Sequence, residues 1–107
     1  MPSDPLNLIK TCIIQGKIIW TYHVNMRLKG RYISREAVLS SVDMFEVIEE
    51  YPEDKYLPSY LICAKHEHEI FHIQIAIDRE DDNVRIITVY KPTMDKWQKG
   101  YKTRRQP

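Results

Sequence analysis

Three basic side chains recur at four-residue intervals in the segment 22–34, namely His23, Arg27 and Arg31. Because helical residues four apart lie on the same side of the cylinder, a helix here would place the imidazole and both guanidinium groups together. A guanidinium group holds a phosphate through paired hydrogen bonds, and an imidazole gains or loses a proton near neutral pH. The combination is the equipment for binding and cleaving a phosphodiester, which suggests ribonucleic acid as the partner.

An apolar ladder in the same part of the chain indicates how such a helix would be held. Trp20, Val24 and Leu28 also recur every four residues, about 100° around the cylinder, and can face a core. For an isolated His-x-x-x-Arg spacing, however, a surface helix with solvated basic residues is the simpler interpretation. The catalytic hypothesis therefore needs support from other parts of the chain.

Some support comes from Tyr90 and Lys91, which close the last predicted strand. Tyr90 can stack on a base or share a proton, and Lys91 can neutralise a phosphate. Taken alone, the pair is also compatible with a core tyrosine followed by a lysine that reaches into solvent.

The basic tail, residues 95–107, combines aromatic and cationic side chains. Trp97 with Arg104 and Arg105 is suited to RNA, which proteins bind by stacking and by phosphate contacts. The alternative is a terminal helix anchored by Trp97 and Tyr101 with a disordered basic end. The two interpretations are compatible with one another.

Histidines and cysteines offer little further chemistry. His66, His68 and His72 share the parity of one strand face, but the first two fall in a predicted turn and no fourth zinc ligand is evident. His72 alone is expected on an exposed sheet face, where it could contact RNA. Cys12 and Cys63 lie in apolar segments and are predicted to be buried free thiols. We therefore expect neither a metal ion nor another cofactor.

Length and composition predict one globular domain over residues 1–107, with 43% apolar and 29% charged residues. The net charge of +1 is unevenly divided, with +4 over residues 1–42, −5 over 43–57, −3 over 58–90 and +5 over 91–107. Such a division can fold into one positive and one negative face. Because neither a membrane-length apolar run nor a secretory signal is visible, we expect a cytoplasmic protein.

Apolar periodicity changes along the chain from helical to alternating. Helices are predicted from Pro5 to Gly16, from about Thr21 to Lys29, and from Arg35 to Val42 behind a Ser34 cap and an Ile33–Val38 staple. Strands are predicted over Phe45–Tyr51, Ser59–Lys65, Ile70–Asp78 and Val84–Lys91. This order predicts an α+β domain of two layers, with the helices on one face of a four-stranded, mostly antiparallel sheet and the other face open.

The basic ladder also carries a family resemblance. His23-Val24, Arg27, Arg31, Ile33 and Ser34 resemble the signature H-V/A-x-x-R-M-x-x-R-x-I-S of a small bacterial family, the domain of unknown function 4258. The likeness continues, in order, through 48–52, 58–61, 71–73 and 86–92 to Trp97, and covers about residues 18–105. Leu28 replaces the family's methionine, and His68-Glu69-Ile70 replaces its glycine-arginine before the third strand.

The resemblance implies a fold similar to RelE-type and barnase-like ribonucleases, and a toxin whose partner is a zinc-ribbon antitoxin. We therefore expect a metal-independent endoribonuclease of a type II toxin–antitoxin pair, in which a ribose 2′-hydroxyl attacks the adjacent phosphorus. His23 would be the base or acid, and Arg27 and Arg31 would clamp the phosphate. Tyr90 and Lys91 are second catalytic candidates. The RNA-binding candidates are His72, Trp97, Arg104 and Arg105. A non-catalytic protein- or RNA-binding module is the alternative.

Overall fold

The computed structural model describes residues 4–21 and 33–104. The helices in these ranges are α1 (Pro5–Ile14), α2 (Arg35–Ser40) and a short 3₁₀ helix (Val42–Met44). The strands are β1 (Ile18–Trp20), β2 (Glu46–Tyr51), β3 (Ser59–His66), β4 (Glu69–Asp78) and β5 (Asn83–Tyr90).

Helix α1 has the boundaries that its end residues dictate. The Asp4 carboxylate accepts a hydrogen bond from the Leu6 N–H at 3.2 Å, and Pro5 occupies the first helical position. After the helix, Gly16 takes a φ of +75°, which a glycine adopts without steric cost. The predicted first helix is thereby confirmed. Within the described ranges, no helix has the length and apolar content needed to cross a bilayer.

Helix α2 is shorter than predicted. Its start is confirmed, because the Ser34 Oγ accepts from the Ala37 N–H at 3.0 Å, and Ile33 and Val38 are both buried in the core. The helix ends at Ser40 rather than Val42, where the chain tightens into the 3₁₀ helix. The Ser41 hydroxyl donates to the Val38 carbonyl at 2.8 Å at that point.

The sheet has five strands in the order β1-β5-β4-β3-β2 and is mixed. Strand β1 pairs with β5 in parallel, and every other pairing is antiparallel. The prediction of four strands missed β1, because Trp20 had been placed in a helical ladder. In the structure Trp20 pairs with Ile86, and Ile18 pairs with Val84. A three-residue strand is too short to show an alternating pattern.

The two faces of this sheet carry different side chains. The core face packs against α1 and α2 and bears alternate residues of the three central strands, including Tyr60, Ile62, Ala64, Phe71, Ile73, Ile75, Ile77, Val84, Ile86 and Val89. The second face bears the intervening residues, including Cys63, His72 and Gln74. The helices therefore pack on the core face, and a different part of the chain covers the second face.

The carboxyl-terminal segment, residues 91–104, covers part of the second face. Trp97 is only 2% exposed, and its ring centroid lies 4.5 Å from that of His72, which is fully buried. The expectations of an open face and an exposed His72 are therefore wrong. The two-layer description is incomplete, because a third layer lies over this part of the sheet.

The carboxyl-terminal segment is not the helix that the spacing of Trp97 and Tyr101 allowed. Trp97 and Arg104 form an antiparallel bridge, and the Gln98 N–H donates to the Thr103 carbonyl at 2.8 Å. Gly100 and Tyr101 have φ values of +93° and +61°, which lie outside the helical region. The segment is therefore a tight loop that returns on itself and lays Trp97 on the sheet.

Candidate functional site

A cavity of about 350 Å³ lies where β5 ends and the carboxyl-terminal segment begins. Its lining residues are Tyr90, Lys91, Pro92, Thr93, Lys96, Trp97 and Arg104. Three of these side chains are cationic, and none of the described lining residues is acidic. We call it the basic cavity. It brings together four residues that the sequence singled out separately, namely Tyr90, Lys91, Trp97 and Arg104.

Two of the three cations of the basic cavity pair with carboxylates of the sheet. Arg104 makes a two-point pair with Glu49, with distances of 2.6 Å from Nε to Oε2 and 3.0 Å from Nη2 to Oε1. Lys91 Nζ lies 3.1 Å from Glu69 Oε2. A guanidinium has five N–H donors, so Arg104 can hold Glu49 and still donate to an anion in the cavity.

The Arg104–Glu49 pair keeps both side chains ionised. The hydrogen bond to Glu49 raises the pKa of Arg104 above its usual range. The same hydrogen bond, with a smaller contribution from the Tyr51 hydroxyl, lowers the pKa of Glu49. Glu49 is therefore an anion at neutral pH, and its carboxylate accepts from both partners.

Trp97 forms a wall of the basic cavity. The Arg104 guanidinium carbon lies 4.6 Å from the centroid of the Trp97 ring, within the range of a cation–π contact. The Trp97 and His72 rings also form a T-shaped contact, at an interplanar angle of 84°. Trp97 was predicted to stack on RNA bases, but its ring is already covered by these contacts. It positions Arg104 and shields His72.

His72 links the floor of the cavity to the carboxyl-terminal segment. Its Nε2 lies 2.7 Å from the Tyr101 carbonyl oxygen, and its Nδ1 lies 3.1 Å from the Tyr90 hydroxyl. Burial lowers the pKa of His72 and raises that of Tyr90, so both groups favour their uncharged forms at neutral pH. His72 therefore forms a neutral hydrogen-bonded bridge between two parts of the site.

The Tyr101 backbone is bent to complete this bridge. Its φ of +61° is uncommon for a bulky residue and costs about 1–2 kcal/mol relative to a right-handed conformation. Gly100, at +93°, provides the turn before it. Such a conformation persists where surrounding contacts fix it, and here the Tyr101 carbonyl is held by His72.

Two β-bulges decide which side chains reach the site. In β5, pairing with β4 shifts so that Ile87 is the extra residue, and Tyr90 then lies opposite His72 on the second face. In β2, the pairing with β3 shifts between Val47 and Glu49. A one-residue shift moves every later side chain to the opposite face. Strict alternation would have directed Tyr90 and Glu49 toward the core.

Several predicted site residues lie outside the part of the chain that the structure describes. His23, Arg27 and Arg31 fall within residues 22–32, and Arg105 falls within residues 105–107. The predicted helix from Thr21 to Lys29 lies there too, apart from Thr21 itself, which is not helical. These assignments remain predictions.

The zinc alternative receives no support from the described residues. Among them, no group of three or more His, Cys, Asp or Glu side chains is close enough to hold a metal ion. His72 uses both ring nitrogens for the hydrogen bonds described above. His66 ends β3, and His68 lies in the turn that follows.

Four groups of the site were not predicted from the sequence, namely Glu49, Tyr51, Lys96 and the Tyr101 carbonyl. A signal for Glu49 was present in the charge pattern, because an acidic middle and a basic tail can attract one another. Two ion pairs realise that attraction, Arg104–Glu49 and Lys102–Glu46. The individual pairings, however, depend on which strand lies beside the carboxyl-terminal segment.

Comparison with known proteins places the strand residues of the site within one family. Searches of curated proteins and of solved structures gave no match. A family model matches residues 20–91, a range that includes Glu49, His72, Tyr90 and Lys91 but ends before the rest of the carboxyl-terminal segment. Since the match covers more than half of the chain, the protein belongs to the family described as "Domain of unknown function (DUF4258)".

Proposed function

We propose that the protein is a metal-independent endoribonuclease and the toxin of a bacterial type II toxin–antitoxin pair, with a RelE- or barnase-like active site. The basic cavity is the observation that carries this proposal. It gathers Lys91, Lys96 and Arg104 around Tyr90, in a space of about 350 Å³. Fixed cations around a small cavity are suited to a phosphodiester, whose charge increases in the transition state.

The proposed reaction is a transesterification. The ribose 2′-hydroxyl loses its proton to a base, its oxygen bonds to the adjacent phosphorus, and the bond from phosphorus to the 5′-oxygen breaks. The leaving oxygen takes up a proton, so the products are a 2′,3′-cyclic phosphate and a 5′-hydroxyl. Lys91 and Arg104 stabilise the charge on the phosphorane oxygens, and Tyr90 contacts the reacting hydroxyl.

His23 remains the proposed base or acid, with Arg27 and Arg31 as further phosphate clamps. Arg105 would extend the contact with the RNA backbone. The proposed partner is a cognate antitoxin with a zinc ribbon, and the proposed substrate is cellular RNA, messenger RNA included, in the cytoplasm. These assignments rest on the resemblance to the family and on the positive charge of the basic cavity.

The test uses controlled expression in a bacterium together with cleavage assays on the purified protein. We expect the wild type to stop growth and to shorten cellular RNA, and Lys91→Ala to cleave at least about tenfold more slowly, as expected for one lost contact to a charged group. His23→Ala and Arg27→Ala test the two remaining predictions in the same assay. Lys55→Ala removes an exposed lysine outside the cavity and should match the wild type.

Two results would overturn parts of this proposal. If pure wild-type protein leaves all RNA intact, the protein is not this enzyme. If Lys91→Ala cleaves as fast as Lys55→Ala, the basic cavity is not the active site. RNA that is bound in the cavity but never cleaved would support the alternative, a non-catalytic RNA-binding module, because cations that bind phosphate do not by themselves catalyse its transfer.

A further inference from the structure

The hydrogen bonds of His72 have a direction, and that direction determines what Tyr90 offers to a ligand. A carbonyl oxygen only accepts hydrogen bonds, so the contact of 2.7 Å to the Tyr101 carbonyl requires a proton on His72 Nε2. A neutral imidazole carries one proton, which leaves Nδ1 as an acceptor. The Tyr90 hydroxyl, 3.1 Å from Nδ1, is then the donor.

The surroundings of His72 keep the imidazole neutral. The ring is fully buried between β3, β5 and the carboxyl-terminal segment, with Cys63, Tyr90 and Trp97 around it. The charges that act on the imidazole are the anion of Glu49 and the cation of Arg104, which form a pair and act in opposite directions. Desolvation lowers the pKa of His72 more than the hydrogen bond to the Tyr101 carbonyl raises it.

The phenol of Tyr90 has a single O–H donor, and His72 Nδ1 accepts it. The oxygen of Tyr90 therefore has only acceptor capacity toward the basic cavity, of which Tyr90 is a lining residue. We propose that His72 is a positioning residue that makes Tyr90 a hydrogen-bond acceptor, and that the basic cavity thereby selects ribose, through its 2′-hydroxyl donor, over deoxyribose. This inference rests on the proposed function, because it assumes a nucleic-acid ligand.

The proposal excludes two other ligand contacts of Tyr90. A phosphate oxygen has no proton to donate at neutral pH, so Tyr90 does not bind phosphate while its own proton is on the bond to His72. That task falls to Lys91, Lys96 and Arg104. Deoxyribose lacks a 2′-hydroxyl, so it leaves the acceptor unmet in a partly enclosed space, and a group of that kind is costly to leave unpaired.

The experiment compares three single-stranded oligonucleotides of one sequence: RNA, 2′-fluoro RNA and DNA. Fluorine at the 2′ position keeps an RNA-like sugar but removes the donor and blocks cleavage. Binding is measured by fluorescence anisotropy before cleavage products accumulate. For the wild type we expect RNA to bind about tenfold more tightly than 2′-fluoro RNA, which corresponds to one buried hydrogen bond.

Matched variants separate the direction of the hydrogen bond from the attachment of the segment. His72→Gln can still donate to the Tyr101 carbonyl but has no acceptor at the Nδ1 position, so RNA and 2′-fluoro RNA should bind within about twofold of each other. Tyr90→Phe should show the same loss. His72→Asn places a carbonyl oxygen near the Nδ1 position and should retain part of the selectivity. Tyr56→Phe removes a phenol that is 84% exposed and lies outside the cavity, and it should match the wild type.

The possible results separate this inference from the proposed function. If the wild type binds RNA and 2′-fluoro RNA equally, or if Tyr90→Phe keeps the selectivity, the inference is wrong while the ribonuclease proposal stands. If no oligonucleotide binds, the proposed function fails and this inference fails with it. A measurement on the wild type alone, the ¹⁵N NMR shifts of the His72 ring, should show a proton on Nε2. A proton on Nδ1 instead would overturn the inference even if every His72 variant were unfolded.

Discussion

Phe71 and His72 are neighbours on β4, and both are buried, at 2% and 0% exposure, yet they lie on opposite faces of the sheet. Phe71 joins an apolar cluster beneath the helices. His72 meets two hydrogen-bonding partners and the Trp97 ring beneath the carboxyl-terminal segment. The same strand therefore supports a stabilising core on one side and an ordered polar bridge on the other.

This difference indicates how the protein divides stability from specificity. Burial of apolar surface has no preferred direction, so the core face tolerates small changes of shape. A buried polar bridge works only when donors meet acceptors, so the second face is sensitive to single atoms. Substitutions on the core face should change the free energy of unfolding, and those on the second face should mainly change ligand binding.

The largest expected effect is on the core face. Phe71→Ala removes a fully enclosed ring and should lower the free energy of unfolding by about 3–5 kcal/mol, enough to unfold a marginal domain. Urea denaturation followed by circular dichroism measures this loss. Ile73→Val is the milder companion and should cost about 0.5–1.5 kcal/mol. If Phe71→Ala were as stable as the wild type, the core face would not be the main source of stability.

Trp97→Ala should lower the free energy of unfolding less than Phe71→Ala does. Its main effect should be to loosen the carboxyl-terminal segment. The substitution removes the cover of His72, but the core face stays packed, so we expect a loss of about 1–3 kcal/mol. The carboxyl-terminal segment should detach first, which amide hydrogen exchange would show as faster exchange at Gln98 and Tyr101 than in the strands. Equal acceleration throughout the sheet would contradict the separation of the two faces.

His72 should make stability depend on pH. Its pKa is lowered in the folded protein by burial, whereas in the unfolded chain it is near 6.5. Below about pH 6.5 the unfolded state binds a proton that the folded state does not. The free energy of unfolding should therefore decrease as the pH is lowered, by up to about 1.4 kcal/mol per pH unit. Urea midpoints at about pH 7.5 and about pH 5.5 measure the slope.

The control for this pH dependence is His72→Gln, which should have a shallower slope over the same range. The other histidines are present in both proteins, so their contributions cancel in the comparison. The charged groups that face His72, Glu49 and Arg104, do not change their charge in this window, since the pKa of Glu49 is lowered and that of Arg104 is raised. Identical slopes would mean that His72 is not neutral in the folded state.

The smallest change in stability should come from Glu49→Gln, whose main effect should be on oligonucleotide binding. The Arg104 side chain is 53% exposed and that of Glu49 22%, so the loss of this ion pair should cost only about 0.2–1 kcal/mol. Removing the anion beside the basic cavity should nevertheless tighten oligonucleotide binding, measured by anisotropy at low salt. Glu50→Gln makes the same charge change on β2, outside the basic cavity, and should alter binding less. Equal effects would indicate general charge attraction instead of a defined site.

Much of the fold could be predicted from local patterns. The Asp4 and Ser34 caps, the glycine after α1 and the alternation of Phe71, Ile73, Ile75 and Ile77 are short-range signals, and each corresponds to an observed element. Strand β1 was missed because three residues carry no readable period. The carboxyl-terminal segment is not the helix that its side-chain spacing allowed, because Gly100 and Tyr101 have positive φ angles.

The candidate site could likewise be predicted only in part from the sequence. Residue type by itself identified Tyr90, Lys91, Trp97 and Arg104 as groups able to contact RNA, since aromatic and cationic side chains have that capacity in any fold. Their meeting depends on contacts between distant parts of the chain, because two bulges turn Tyr90 and Glu49 to the second face and the carboxyl-terminal segment folds over His72. A one-residue bulge is set by pairing with a distant strand, so no local sequence window contains the information that places these side chains.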